Sequence, residues 1–115
     1  MTVENNVLNA EKVKVITLSG RLDSYTIAAS RKLLEDAVNA DTPQIVVNMQ
    51  AVSFLDSTAL SAFVVALKRS RERGGNLYLC CLQQSVRMIF ELTRLDKVFE
   101  MYASEREAVS AFLNE

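Results

Sequence analysis

Apolar and polar positions along this chain follow two periodicities, which alternate and predict strands and helices in turn. Apolar runs at residues 12–18, 45–49 and 76–82 are typical of β-strands, and the last two are apolar nearly throughout, as buried strands are. Between and after these runs, apolar residues recur at three- and four-residue steps, which is the spacing of one helix face. We therefore predict helices at residues 25–40, from the polar junction at 56–58 to about 73, around 86–93, and from 105 onward.

This alternation favours an α/β fold in which helices pack on a largely parallel sheet. We expect a mixed, mostly parallel sheet of four to five strands with about four helices packed on it. A length of 115 residues suits one domain, spanning residues 1–115. Two weaker signals predict short strands, one at the sheet edge at residues 7–8 and one within residues 98–102.

The junction after the central predicted strand is built from small polar residues. Asp56, Ser57 and Thr58 are of the types that begin helices, and the first backbone N–H groups of a helix have no partner within it. Such a junction can hold an anion, and the hydroxyl of Ser57 can be converted into one. Asp23 follows the preceding predicted strand, in a turn where Gly20 is free to adopt a positive φ. Because parallel strands end at the same edge of a sheet, we expect Asp23 and Asp56 to share one surface.

Composition and charge argue against several classes of function. The formal net charge is -1, whereas proteins that bind DNA or RNA directly normally carry a basic excess. No apolar run approaches the roughly 18 residues of a membrane span. The first residues lack the basic and apolar regions of a signal peptide. We therefore expect a cytoplasmic protein that binds neither nucleic acid nor membrane.

Enzymatic chemistry is not indicated either. The chain contains no histidine, which removes the commonest general base and the commonest metal ligand. The Gly-x-Ser-x-Gly, P-loop and Gly-x-Gly-x-x-Gly patterns are absent. A metal site would have to rely on carboxylates such as Asp23 and Asp56, which at helix starts are far more often caps. The sequence therefore predicts no catalytic residue, no cofactor and no metal site.

Two further clusters have structural interpretations. Cys80 and Cys81 are neighbours in an apolar strand, where adjacent side chains point to opposite faces, so we expect two buried, unpaired thiols in a reducing compartment. Cations gather at the end of the second predicted helix, where they complement the helix dipole; a binding patch is the alternative interpretation. These cations are Lys68, Arg69, Arg71 and Arg73.

Several segments together resemble one known family. Phe54-Leu55-Asp56-Ser57-Thr58-Ala59-Leu60 resembles the signature of anti-sigma factor antagonists, the single-domain STAS proteins. Gly20-Arg21-Leu22-Asp23 is similar to the Gly-Glu-Leu-Asp turn of that family, and Gly74-Gly75 falls where a glycine-rich turn follows the second helix. The segment at residues 92–99 also resembles the family's segment after the third helix. Order and spacing agree over nearly the whole chain.

The resemblance implies a STAS-like fold and a switch protein. In this family the unphosphorylated antagonist binds an anti-sigma factor that is also a serine kinase, and this binding frees a sigma factor to start transcription. The kinase phosphorylates the motif serine and the complex dissociates, and a serine phosphatase resets the cycle. Carried over to this chain, Ser57 is the expected phosphorylation site, and we expect a monomer. The expected partner-binding residues are Asp23, Asp56, Ser57, Thr58 and Ala59.

This chain departs from the family pattern at three positions, one of which is Ser61, where another Gly is frequent. Ala59 stands where the family usually has Gly, and its methyl group alters how closely a partner's backbone can approach. Arg21 stands where the family usually has Glu, which changes the charge beside Asp23. These departures bear on which partner fits and leave the class of protein unchanged.

Alternative interpretations stay open for the same residues. Ser57 and Thr58 are also ordinary helix caps. The extra apolar residues of the second helix indicate either deep burial or a partner-binding face; they are Ala59, Ala62, Val65 and Ala66. A STAS domain can also serve as a non-phosphorylated module that binds a small ligand or joins a larger complex. In a response-regulator receiver the phosphate would be on Asp56, but receivers need a pair of acidic residues after the first strand.

Overall fold

The computed structural model describes residues 13–40 and 43–113, and the backbone of residues 2–5. Strands and helices alternate through these ranges, as the sequence predicts. The strands are β1 (Thr2–Asn5), β2 (Lys14–Leu22), β3 (Gln44–Leu55), β4 (Asn76–Cys80) and β5 (Glu100–Tyr102). The helices are α1 (Ile27–Val38), α2 (Ser57–Glu72), α3 (Gln84–Leu92) and α4 (Glu105–Leu113), and a 3₁₀ turn at Leu95–Lys97 precedes β5.

The strands described form one sheet in the order β1-β2-β3-β4-β5. β1 runs antiparallel to β2, and β2 to β5 run parallel to one another. Because each parallel strand lies beside the one before it, right-handed connections place α1, α2 and α3 on the same face of the sheet. α4 packs on the opposite face. The expected mixed, mostly parallel sheet is therefore confirmed.

Two apolar clusters fill the space on either side of the sheet. The larger one lies between the sheet and α1, α2 and α3, and includes the fully buried Ile16 and Leu79. The smaller one lies under α4, where the rings of Tyr78 and Phe112 stack with their centroids 4.1 Å apart. Strand residues therefore alternate between two cores, which is why β3 and β4 are apolar on both faces.

Burial explains most of the extra apolar residues of α2. Ala59, Ala62 and Ala66 are all buried against the sheet and α1. Val65 differs, because 48% of its surface is exposed. Small side chains let α2 lie close to its neighbours, so this composition favours packing over a partner-binding face along the helix.

Two of the four cations at the end of α2 form hydrogen bonds with neighbouring segments. Arg71 donates hydrogen bonds to the Asn76 side chain (3.3 Å) and to the Val98 carbonyl (3.2 Å). Arg73 Nε donates to the Ala40 carbonyl at 3.0 Å. These two arginines therefore tie α2 to neighbouring loops, while Lys68 and Arg69 are exposed.

The turn between α2 and β4 depends on close backbone contact. The N–H of Asn76 donates to the Pro43 carbonyl at 2.9 Å, and the N–H of Gly75 donates to the Ser70 carbonyl at 2.8 Å. A Cβ atom added at Gly75 would collide with the Pro43 carbonyl. Gly74 instead supplies a positive φ of 87°. The two glycines thus serve different physical needs in one turn.

The cysteines lie differently from expectation. Both are free thiols, but only Cys80 is buried, and Cys81 is half-buried. β4 ends at Cys80, and Cys81 has a φ of 65° in place of an extended one. Both side chains belong to the cluster under α4, so the expectation that they point to opposite faces is wrong.

Several boundaries also differ from the prediction. β2 and β3 both extend toward their carboxyl ends, well beyond the apolar runs at residues 12–18 and 45–49. β1 was not predicted, and the strand expected at residues 7–8 falls outside the described residues. In the parts of the chain that the structure describes, every helix is too short or too polar to cross a membrane.

Candidate functional site

The carboxyl-terminal extensions of β2 and β3 bring two turns side by side. The strands pair through Leu22 and Leu55, and the N–H of Asp56 donates to the Leu22 carbonyl at 3.1 Å. Both leucines are buried in the larger core cluster, which fixes the strand ends. The turn that begins at Asp23 therefore lies against the junction that begins at Asp56. The structure thus places the two predicted acidic turns on one surface.

Asp56 is the N-cap of α2 and also holds the neighbouring turn. Its Oδ1 accepts a hydrogen bond from the N–H of Ala59 at 3.0 Å. Its Oδ2 accepts one from the N–H of Ser24 at 3.2 Å. One carboxylate therefore satisfies a free N–H of the helix and locks the two turns together. The capping role is filled by Asp56, so Ser57 is not needed for it.

Ser57 is the first residue of α2 and its side chain is exposed. Among the described residues, none forms a hydrogen bond with its hydroxyl. The positive end of the helix dipole and the first N–H groups lie at this position. Thr58, the next residue, is half-buried. The exposed hydroxyl therefore belongs to Ser57.

Ala59 is buried, unlike the other expected partner-binding residues. Its side chain has 0% exposure and packs in the larger core cluster. Its N–H is already bound to Asp56. The methyl group that replaces the family's usual Gly is therefore inside the protein, where a docked partner does not touch it.

Asp23 organises the turn that leads into α1. Its Oδ1 accepts hydrogen bonds from the N–H groups of Tyr25 (3.0 Å) and Thr26 (3.1 Å). The Thr26 hydroxyl donates to the Arg21 carbonyl at 2.7 Å and closes the turn. Tyr25, held in this network by its backbone, has a side chain that is 93% exposed. Tyr25 was not predicted as a site residue, although an aromatic ring inside a polar turn is itself a signal.

Arg21 adds a positive charge to the same surface. Its guanidinium lies 4.3 Å from the centroid of the Phe54 ring, its cross-strand neighbour. Its Nε lies 3.9 Å from Oδ2 of Asp23. An arginine held over an aromatic ring keeps its planar face in one orientation. The departure from the family's Glu therefore places a cation beside Asp23.

This arrangement limits the chemistry that the site can perform. Oδ1 of Asp23 and both carboxylate oxygens of Asp56 accept backbone N–H groups, as in helix caps. Within the described residues, His, Cys, Asp and Glu side chains form no group of three or more that could hold a metal ion. The Ser57 hydroxyl beside these carboxylates is exposed to solvent at the start of α2.

Comparison with known proteins now identifies the family. The model of the STAS domain matches residues 5–108, which is nearly the whole chain. The chain belongs to the STAS domain family. The resemblance noted in the sequence is thereby confirmed.

Several relatives of this STAS domain are named anti-sigma factor antagonists. This chain is 30% identical over 95 residues to the anti-sigma-B factor antagonist of Staphylococcus aureus (strain NCTC 8325 / PS 47). The matched residues cover 83% of this chain and 88% of that relative. The crystal structure of an anti-sigma factor antagonist from Mycobacterium paratuberculosis matches with a TM-score of 0.82 and 28% identity, covering 96% of this chain and 91% of that one.

A third relative has been solved in two states. The anti-sigma factor antagonist SpoIIAA in its unphosphorylated form matches with a TM-score of 0.76 and 25% identity, covering 90% of each chain. The phosphorylated form of SpoIIAA from Bacillus matches with a TM-score of 0.66 and 25% identity, covering 87% of this chain and 90% of that one. The STAS-like fold expected from the sequence is therefore confirmed.

Proposed function

We propose that this STAS domain is an anti-sigma factor antagonist regulated by phosphorylation of Ser57. In its unphosphorylated form it binds an anti-sigma factor that is also a serine kinase, and so frees a sigma factor. One observation carries the proposal: the exposed hydroxyl of Ser57 begins α2 while Asp56 performs the capping. The relatives named as anti-sigma factor antagonists support the partner class, and the phosphorylated relative supports the modification.

The fold tolerates a phosphate at this position. A phosphoserine adds about -1.5 to -2 charges at pH 7. At the first residue of a helix, the free N–H groups and the helix dipole stabilise those charges. Ser57 is exposed, so the phosphate group enters solvent and displaces no packed side chain. The modification therefore leaves the domain folded.

Binding of the partner is affected differently. Docking over Ser57 has to remove water from a dianion that lies close to the carboxylates of Asp23 and Asp56. A buried charge without a partner destabilises a complex by several kcal/mol. A loss of about 3 kcal/mol already weakens binding more than a hundredfold. Phosphorylation thus ends the association without a large change of shape, and a serine phosphatase restores it.

The proposed partner-binding surface consists of residues from both turns, and we propose that the protein acts as a monomer. Its charged and polar members are all accessible to a docked protein to some degree, whereas Ala59 acts only through packing. The surface comprises Arg21, Asp23, Tyr25, Asp56, Ser57 and Thr58. We infer that the protein acts by binding and catalyses no reaction.

The direct test is phosphopeptide analysis of the protein isolated from its native cells. Two variants serve as controls: Ser57→Ala removes the proposed site, and Ser61→Ala removes the side chain of another exposed serine about one helical turn later. We expect acid-stable phosphate on Ser57 in the wild type and in Ser61→Ala, and none in Ser57→Ala.

Two results would contradict the proposed switch. Absence of phosphate under every growth and stress condition would leave a STAS module that binds its ligand without modification. A hydroxylamine-labile phosphate on Asp56 would indicate an acyl phosphate and a receiver-like mechanism.

A further inference from the structure

Cys80 and Cys81 form a pair with unusual geometry, away from the Ser57 site. β4 ends at Cys80, and Cys81 adopts a φ of 65°, a conformation shared among the described non-glycine residues only by Arg94. The left-handed region is unfavourable for side chains with a Cβ atom. In an extended strand the two thiols would point to opposite faces. The positive φ at Cys81 instead turns its side chain toward the cluster that contains Cys80.

The two side chains therefore lie beside each other in one cluster. Burial is the main cause that raises the pKa of the Cys80 thiol, and the neighbouring Cys81 side chain and the carboxylate of Glu105 raise it further. Cys80 has 0% exposure, whereas Cys81, just after the strand, is only half-buried. One thiol of the pair is thus protected and protonated, and the other is accessible.

We propose that this pair is an oxidation site at which Cys80 and Cys81 close into a reversible vicinal disulfide when a hydroperoxide reaches Cys81. The Cys81 thiol releases its proton and the thiolate attacks one peroxide oxygen. The O–O bond breaks, Cys81 becomes a sulfenic acid, and the leaving hydroxide or alkoxide takes up the released proton to give water or an alcohol. The Cys80 sulfur then attacks the Cys81 sulfur, and the hydroxyl leaves as water with the proton of the Cys80 thiol. Together the two sulfurs lose two electrons, which the peroxide gains.

The different burial of Cys80 and Cys81 determines which thiol reacts first. A protonated, buried thiol reacts poorly with peroxide, so Cys81 reacts first and Cys80 resolves it. Because Cys80 is the adjacent residue and lies in the same cluster, the sulfenic acid is captured before further oxidation to a sulfinic acid. A ring closed by adjacent residues is strained, and strained disulfides are reduced readily. The bond therefore forms transiently, as regulatory disulfides do in a reducing compartment.

The whole chain allows a direct test, independent of the proposed antagonist function. The purified protein is treated with hydrogen peroxide, alkylated and digested with trypsin. Cleavage after Arg73 and Arg87 releases residues 74–87, which contain both cysteines of the chain. We expect this peptide to be lighter by about 2 Da and resistant to alkylation, since two hydrogens leave and both sulfurs are joined. Dithiothreitol should restore both free thiols.

Matched serine variants separate the two roles. In Cys81→Ser, the remaining Cys80 is buried and peroxide cannot reach it. Its oxidation rate should therefore be at least about tenfold lower than that of the wild-type pair. In Cys80→Ser, Cys81 should gain oxygen atoms or link two chains, because its resolving partner is missing. A wild-type peptide that gains oxygen, stays fully alkylatable or links two chains would overturn the proposal, even if both variants failed to fold.

Discussion

At the scale of single residues, the neighbours Asp56 and Ser57 have different roles in the site. Asp56 stabilises the helix through Ala59 and the adjacent turn through Ser24, while Ser57 contributes an exposed hydroxyl. The sequence predicted this trio of polar residues but not which of them is the cap. Asp, Ser and Thr all cap helices, and the choice depends on the neighbouring turn, which approaches Asp56 from a distant part of the chain.

Substitution of these two neighbours should separate stability from function. Asp56→Ala should lower the free energy of unfolding by about 1–2 kcal/mol, because two backbone N–H groups lose their acceptor. Ser57→Ala should change it by less than about 0.5 kcal/mol, because an exposed hydroxyl is removed. Urea denaturation of both variants measures the difference. Equal destabilisation would show that Ser57 has a structural role.

A second residue-scale prediction concerns Arg94, which precedes the 3₁₀ turn with a φ of 65° and an exposed side chain. Arg94→Gly should raise the free energy of unfolding by about 1 kcal/mol, because glycine adopts this conformation without the clash of a Cβ atom. Arg94→Ala is the matched control: it removes the same side chain, keeps the Cβ atom, and should bring no comparable gain. Thermal unfolding measures the melting temperatures of the two variants. Similar melting temperatures would argue against strain at Arg94.

At the scale of elements, the extensions of β2 and β3 create the candidate site. The sequence indicated both strands from their apolar runs but ended them too early. Beyond Leu18 and Met49 most residues are exposed or half-buried, and the buried ones, such as Leu22 and Val52, are isolated, so no continuous buried run remains. These segments form strands because each supplies the hydrogen-bonding edge of the other, and one segment read alone does not show that pairing.

The turn between α2 and β4 carries the prediction at this scale. Gly75→Ala should destabilise the protein by about 3 kcal/mol or more, because its Cβ would collide with the backbone of Pro43. Gly74→Ala should destabilise it by about 1–2 kcal/mol, because the space is open and only the positive φ is unfavourable. Chemical denaturation ranks the variants. The opposite ranking would show that contact with Pro43 does not constrain this turn.

At the scale of the whole molecule, the alternation of strands and helices predicted the layered α/β fold correctly. The assignment of helices to faces was not predictable from their own patterns. α4 carries an apolar stripe like the other helices, yet it alone among the described helices covers the second face. The chain order of neighbouring parallel strands forces the first three helices onto one side, and α4 covers the apolar face that remains.

The whole molecule is also the scale of the proposed switch. Phosphorylation at Ser57 should leave the fold intact, because the phosphate lies in solvent at the N-terminus of α2. Its effect should appear only when a second protein covers the surface that joins the two turns. A change in binding with an unchanged circular dichroism spectrum and melting temperature is therefore the expected signature.

The most direct measurement compares the affinities of the unmodified and Ser57-phosphorylated chains for the purified serine-kinase anti-sigma factors of the same organism. We predict that one of them binds the unmodified chain and binds the phosphorylated chain at least about a hundredfold more weakly. Ser57→Ala should bind with the affinity of the unmodified chain, and incubation with kinase and ATP should not lower that affinity. Equal affinity of the two forms, or no binding by either, would contradict the account.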